Sequence, residues 1–131
     1  MIHLPKEATD ADILAAVRYW VDLLAADRYE EAHAMMLPDG RWTPDLMRTV
    51  VRHYGFIEPR RDGRTFTVSP ISQAAGGRTK PCQDIERFAD GGGIIHFDLP
   101  LNGEWSDVTA IIEIKELREG LALRLADIHV L

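Results

Sequence analysis

Asp98, Asp107 and Asp127, together with His96 and His129, crowd the carboxy-terminal third of this chain, and two of the spacings repeat: His96-x-Asp98 and Asp127-x-His129. In extended backbone, residues two apart share a face, so each pair stands on one side of a strand. Two carboxylates about 5 Å apart across a ladder couple, and in a dry site one of them is raised in pKa. A histidine beside them serves as acid or base near neutral pH. Asp98, Asp107 and His129 are therefore the candidate catalytic residues, with His96 and Asp127 beside them as candidate ligand contacts. The competing reading is a solvated polar face whose acids are neutralised by neighbouring cations, a common outcome for charge clusters.

The same residue types could hold a metal. The outer two of three neighbouring strands lie roughly 9–10 Å apart, whereas ligands must converge to about 2 Å from one ion. Only Asp107 with His129 or Asp98 could then share an ion, so neither a metal nor a cofactor is expected. The glycine run at 91–93 has no lysine and no helix after it, so it does not cradle phosphate. Cys82 lacks a histidine neighbour in any strand register and is not expected to be a nucleophile.

The elements that must place these residues form a meander. Residues 94–101 alternate apolar and polar, the mark of a half-buried strand. Asn102-Gly103 tolerates positive φ at both positions and predicts a two-residue type I′ hairpin, with Leu101 opposite Glu104. Residues 104–115 return. Ile95, Phe97, Leu99 and Leu101 then share a core face with Ser106, Val108, Ala110, Ile112 and Ile114. His96, Asp98 and Pro100 lie on the reverse with Trp105, Asp107, Thr109, Ile111 and Glu113. Residues 121–130 form a third strand in which Ile128 and Val130 are out of phase with Leu121, Leu123 and Leu125. One extra residue near Ala126, a β-bulge, restores the phase. With Lys115 paired to Gly120, the polar rows are Asp98–Asp107–His129 and His96–Thr109–Asp127.

Upstream, Thr9 or Asp10 caps a helix whose stripe is Ile13, Val17, Trp20, Val21 and Leu24. After a break at residues 26–28, a second helix runs through Tyr29, Ala32, Met35 and Met36. Residues 37–40 have turn chemistry. Thr43-Pro44 caps a third helix with Leu46, Met47, Val50, Val51 and Tyr54 buried, and Gly55 is its C′ stop. Residues 65–69 have strand propensity, and residues 83–88 suit a strand leading into the meander. Arg60, Arg61 and Arg64 read as a solvated basic patch, and His33 and His53 as solvated. Trp20 and Tyr54 are core candidates that could also line a ligand cavity. Trp105, on the polar face, suggests that the face is covered, by a second subunit among other ways.

The chain has 131 residues, 46% hydrophobic and 27% charged, which suits one globular domain spanning 1–131. A net charge of −6 argues against a nucleic-acid partner, and the single cysteine suits a reducing cytoplasm. No apolar run approaches the ~18 residues of a membrane span, and the amino terminus lacks a signal-peptide core.

Helices first and a long antiparallel meander last is an order that resembles the nuclear-transport-factor-2-like superfamily, the cystatin-like cone fold. The resemblance is carried by Trp20-Val21-Asp22-Leu23-Leu24 with Asp27-Arg28-Tyr29-Glu30-Glu31-Ala32, and by residues 98–107 and 125–130, which look like segments of small bacterial members. It implies an α+β fold with helices on a curved antiparallel sheet. Members include isomerases, dehydratases and hydrolases beside binding and dimerisation modules, so fold does not choose a function. The expectation is a cytoplasmic, non-catalytic binding module, homodimeric through the outer sheet face, with a cavity for a small apolar ligand. Trp20, Tyr54, His96, Trp105 and Asp127 are its candidate contacts. The alternative is a lyase or isomerase using Asp107 or Asp98 as base and His129 as partner.

Overall fold

In the computed structural model, which describes residues 1–38 and 41–131, three helices precede and cover one face of a curved, open antiparallel sheet. The α+β expectation holds. Helix α1 (Asp10–Ala25) begins with a capping box: the Thr9 hydroxyl accepts the Asp12 N–H at 3.1 Å, and the Asp12 carboxylate accepts the Thr9 N–H at 3.0 Å. This satisfies N–H groups that a helix start leaves free. The predicted stripe Ile13, Val17, Trp20, Val21 and Leu24 is buried. Asp27, at φ 59°, turns the chain into α2 (Tyr29–Met35). Helix α3 (Pro44–Arg52) starts at Thr43, whose hydroxyl accepts the Leu46 N–H. The turn expected at residues 37–40 includes Asp39 and Gly40, which lie outside the described residues.

The end of α3 differs from expectation. The Tyr54 N–H bonds the Val51 carbonyl and the Gly55 N–H bonds that of Val50, the two closing bonds of a Schellman motif. Tyr54, at φ 60°, therefore occupies the left-handed C′ position that glycine usually takes. Gly55 follows at C″, where close approach to the sheet demands it: a Cβ there would stand 3.2 Å from the Val130 nitrogen.

The sheet runs β1 (Gln83–Arg87), β2 (Gly93–Leu101), β3 (Glu104–Leu117), β4 (Gly120–Val130), each antiparallel to the next. The Asn102-Gly103 hairpin forms as predicted, with Leu101 opposite Glu104 and φ values of 50° and 84°. The expected bulge at Ala126 is present between the pairs Ile111–Asp127 and Ile112–Leu125. The predicted core face is buried, from Ile95, Phe97, Leu99 and Leu101 to Val108, Ala110, Ile112 and Ile114.

Both polar rows shift. Pro100 faces Trp105 and Asp98 faces Thr109, leaving Leu99 alone against residues 106–108. A proline cannot donate to the ladder and sits at bulges. Ser106 stabilises this one: its hydroxyl donates to the Leu99 carbonyl at 2.7 Å and accepts the Val108 N–H at 3.1 Å. Two extra residues preserve the face of every side chain but move Asp98 off Asp107. The β3–β4 turn is also tighter than expected, with Leu117 opposite Gly120 and Lys115 opposite Ala122. Two-residue connections are the favoured hairpin closures. His129 consequently faces Thr109, and Asp127 faces Ile111.

Residues 65–69 are not a strand; only Val68 bridges Leu101. They clamp the hairpin turn instead. The Asn102 side chain accepts the Thr67 N–H and donates to the Thr65 carbonyl, and the Ser69 hydroxyl accepts the Gly103 N–H. The chain then rounds the tip, and Gly77 bridges Trp105 on the far side of β3. A side chain at Gly77 would collide with the Trp105 backbone. Residues 78–82 cross back over the outer face of the sheet to Cys82, whose carbonyl accepts the Asp98 N–H. Part of the face on which a second subunit was expected is thus covered by the chain's own strap.

The free edge of β4 is also occupied. Leu4 exchanges two bonds with Leu121, the Leu37 N–H reaches the Leu123 carbonyl, and the Trp42 indole reaches that of Ala126 at 3.1 Å. The Ile128 N–H is taken at 2.9 Å by the Asp127 carboxylate.

Candidate functional site

The register separates the candidate catalytic residues. Asp98 is 0% exposed. Its Oδ2 accepts the Cys82 N–H at 2.7 Å and lies 3.4 Å from Arg78, while its Oδ1 accepts the Thr109 hydroxyl at 2.7 Å. This buried carboxylate, both oxygens hydrogen-bonded, fastens the strap to the sheet. Asp107 accepts the Tyr54 hydroxyl at 2.6 Å. His129 turns to its own strand neighbour, Nδ1 lying 2.6 Å from Asp127 Oδ2. Thr109, and not Asp107 as expected, stands across from Asp98.

The candidate ligand contacts divide in the same way. Trp20 is 0% exposed, in the core with Phe97 and Ile112. His96 faces Ile111 on the outer sheet surface. Tyr54 and Trp105, by contrast, come together. With Arg60, Arg64, Phe66, Asn102 and Glu104 they line a groove of about 510 Å³ beside the hairpin tip. A contiguous hollow of about 440 Å³, also lined by Tyr54, Trp105 and Ser106, adds Arg78 and Asp107. Trp105 is half-buried, whereas Trp20 and Trp42 are buried.

The geometry of this site follows from three local features. The bulge at residues 106–108 projects Asp107 beyond the last pair of β4, Val130 with Val108. The Schellman turn aims the Tyr54 ring past Val130 toward that carboxylate. The ring of Phe66 stands 4.8 Å from that of Tyr54. Arg60 lies over both rings and Arg64 over Phe66, at 5.1–5.8 Å, within cation–π range. Burial, then the bond to Asp107 and its charge, push the Tyr54 phenol above its ordinary pKa, so it stays a donor. Asp107 Oδ2 carries no hydrogen bond among the described residues. The site thus offers aromatic faces, one carboxylate oxygen without a partner among the described residues and three guanidinium groups, those of Arg60, Arg64 and Arg78.

Asp127 and His129 belong to a different groove, on the other side of Tyr54 and Gly55. The Cys82 thiol is pushed up by burial and by Asp84, which opposes a thiolate nucleophile. Among the described residues no group of three His, Cys, Asp or Glu side chains could hold a metal ion. No helix is long and apolar enough to cross a membrane among them.

Several residues lining the groove carry no signal of that role in the sequence. Phe66 falls within the expected strand at residues 65–69, and Arg60 and Arg64 within the expected solvated patch. Arg78 carried no signal. His33 and His53 are not free: their ring nitrogens meet the Trp42 carbonyl at 2.9 Å and the Ile57 carbonyl at 2.8 Å. Comparison with family models, curated proteins and solved structures gives no match for this chain.

Proposed function

We propose that this chain is a small-ligand binding module of the nuclear-transport-factor-2-like architecture, without a catalytic step, and that its site is the Tyr54–Asp107–Trp105 groove. The observation that carries this reading is Tyr54. A bulky residue in the left-handed region costs about 1–2 kcal/mol, and such strain collects at functional sites. Here it delivers a phenol to Asp107 at 2.6 Å, where the groove walled by Phe66 and Trp105 meets the hollow that Asp107 lines. The ligand class that fits is a planar aromatic ring bearing an N–H donor. The ring lies on the aromatic walls and the N–H reaches Asp107 Oδ2.

The test is a screen of heteroaromatic fragments read by Trp105 fluorescence and by the NMR signals of Tyr54. Expected are ligands that quench Trp105, compete with one another, and lose about tenfold in affinity in Asp107→Asn, the worth of one charge-assisted hydrogen bond. If every fragment leaves Trp105 and Tyr54 unmoved, the reading fails.

The enzyme alternative uses the same groove with Asp107 as base, since Asp98 is out of reach. It is favoured by Asp107 Oδ2, which has no hydrogen-bond partner among the described residues, while the Tyr54 hydroxyl gives its one proton to Oδ1 and holds the carboxylate in place. Exchange of substrate deuterium from D2O, present in the wild type and absent in Asp107→Asn, would establish it over simple binding.

A further inference from the structure

The groove on the far side of Tyr54 and Gly55 has its own chemistry. It holds about 630 Å³ between Trp42, Val50, residues 55–61 and the end of β4 at Asp127, Ile128 and His129, within the usual size for small-molecule sites. Its walls are apolar: Phe56 is 56% exposed and Ile57 60% exposed, beside buried Trp42. They are also anchored. His33 holds the Trp42 carbonyl, the Trp42 indole holds Ala126, and His53 holds the Ile57 carbonyl. A preformed site costs less to occupy than one that must be ordered.

The charges around it decide the ligand. Arg41, Arg60 and Arg61 line the groove with Glu58 and Asp127. Asp127 is spent, one oxygen on the Ile128 N–H and the other on His129. Arg60 is held by Asp62. Arg41 and Arg61 have no carboxylate partner among the described residues, in a chain whose net charge is −6. His129, fixed through Nδ1, keeps Nε2 for a ligand.

We infer that this groove binds a small monocarboxylic acid with an apolar body, the carboxylate met by Arg61 and Arg41 and the body lying on Trp42, Phe56 and Ile57. Guanidinium groups suit planar carboxylates because they can pair with both oxygens. Glu58 is the one lining carboxylate without a cation partner among the described residues, against two such arginines, so an ammonium ligand of the same shape is the weaker competitor. This site shares only Arg60 with the Tyr54–Asp107–Trp105 groove, and the inference stands without that groove's proposed ligand.

The test uses 3-phenylpropionate, with 3-phenylpropylamine and 3-phenylpropanol as the cationic and neutral counterparts, titrated into isotopically labelled protein. Expected are shifts at the Trp42 indole N–H, the Phe56 and Ile57 amides and the His129 ring, with the acid at least tenfold tighter than the amine. The double variant Arg41→Gln/Arg61→Gln lowers affinity for the acid about tenfold and leaves the alcohol unchanged. Ile57→Ser weakens acid and alcohol alike. Equal response to acid and amine, shifts confined to Tyr54 and Trp105, or no shift at ten-millimolar acid would each overturn the inference. So would full acid affinity in the arginine variant with its folded spectrum intact.

Discussion

Replacing Asp98 with alanine tests whether a buried carboxylate holds the strap to the sheet. The substitution deletes the acceptor for the Thr109 hydroxyl and the Cys82 N–H, each at 2.7 Å, and the partner of Arg78. Thr109 is 0% exposed, so its hydroxyl keeps only the longer contact to the Asp107 carbonyl at 3.3 Å. An orphaned buried donor costs about 1–3 kcal/mol. The Cys82 N–H, less deeply placed, adds about 1 kcal/mol. Arg78 is 39% exposed and contributes at most about 1 kcal/mol, screened as it is. The sum is about 2–5 kcal/mol, in the range of the usual cost of breaking one side of a buried pair. Asp98→Asn keeps one acceptor oxygen and should lose about half as much. Urea unfolding followed by circular dichroism gives both values as midpoint shifts at constant slope. Trypsin supplies a local readout, since the Arg78–Thr79 bond lies in the strap and should be cut faster in Asp98→Ala, whereas Lys80 precedes Pro81 and resists the protease. A loss under about 0.5 kcal/mol, the range of ordinary surface substitutions, would refute the reasoning. So would equal losses in the alanine and asparagine variants.

Tyr54→Phe keeps the strained backbone but loses the bond to Asp107, and a drop of about 1–2 kcal/mol in unfolding free energy is expected. Gly55→Ala forces a side chain into positive φ against Val130 and should lower the thermal midpoint, at a cost above ~1 kcal/mol. Trp42→Phe removes the indole bond to Ala126 and leaves that carbonyl unpaired, for about 1–2 kcal/mol by urea titration. Tyr29 is pushed up to about 12, chiefly by burial, with Asp27 adding to the rise. An unfolded tyrosine loses its proton near pH 10 while the folded one keeps it, so stability is full below about pH 10 and falls toward pH 12. Tyr29→Phe should flatten that alkaline limb, and an unchanged slope would contradict the burial argument.

Helix starts were legible because Thr9 and Thr43 announce themselves through their own side chains. The Asn102-Gly103 corner was legible because two adjacent residues fix it, and the Ala126 bulge because a change of phase can be counted. The pairing of Asp98 with Thr109 was not. It depends on Ser106 turning its hydroxyl to the backbone where Pro100 has no N–H to give, and a strict alternation rule passes over that compensation. The faces survived because two inserted residues leave parity intact. Which acid meets which histidine did not survive, since that depends on register and not on face. The helix end at Tyr54 misled for a related reason: a glycine next door invites the left-handed position, yet the chain gives it to the tyrosine. The strap was illegible because its bonds join residues 65–82 to a turn about twenty to forty positions onward, and no local pattern encodes such a pairing.

With its last strand shielded by Leu4, Leu37, Trp42 and its own Asp127 carboxylate, the sheet offers little template there for another chain to extend it. The opposite margin is the five-residue β1, whose Asp84, Glu86 and Arg87 stand exposed. Growth by adding ribbons, the route to fibrils, is thereby discouraged at both ends. Concentrated solutions of the folded protein should stay clear where a naked ribbon would gel. A companion strand would find its one uncovered rim, among the described residues, at the short and charged β1.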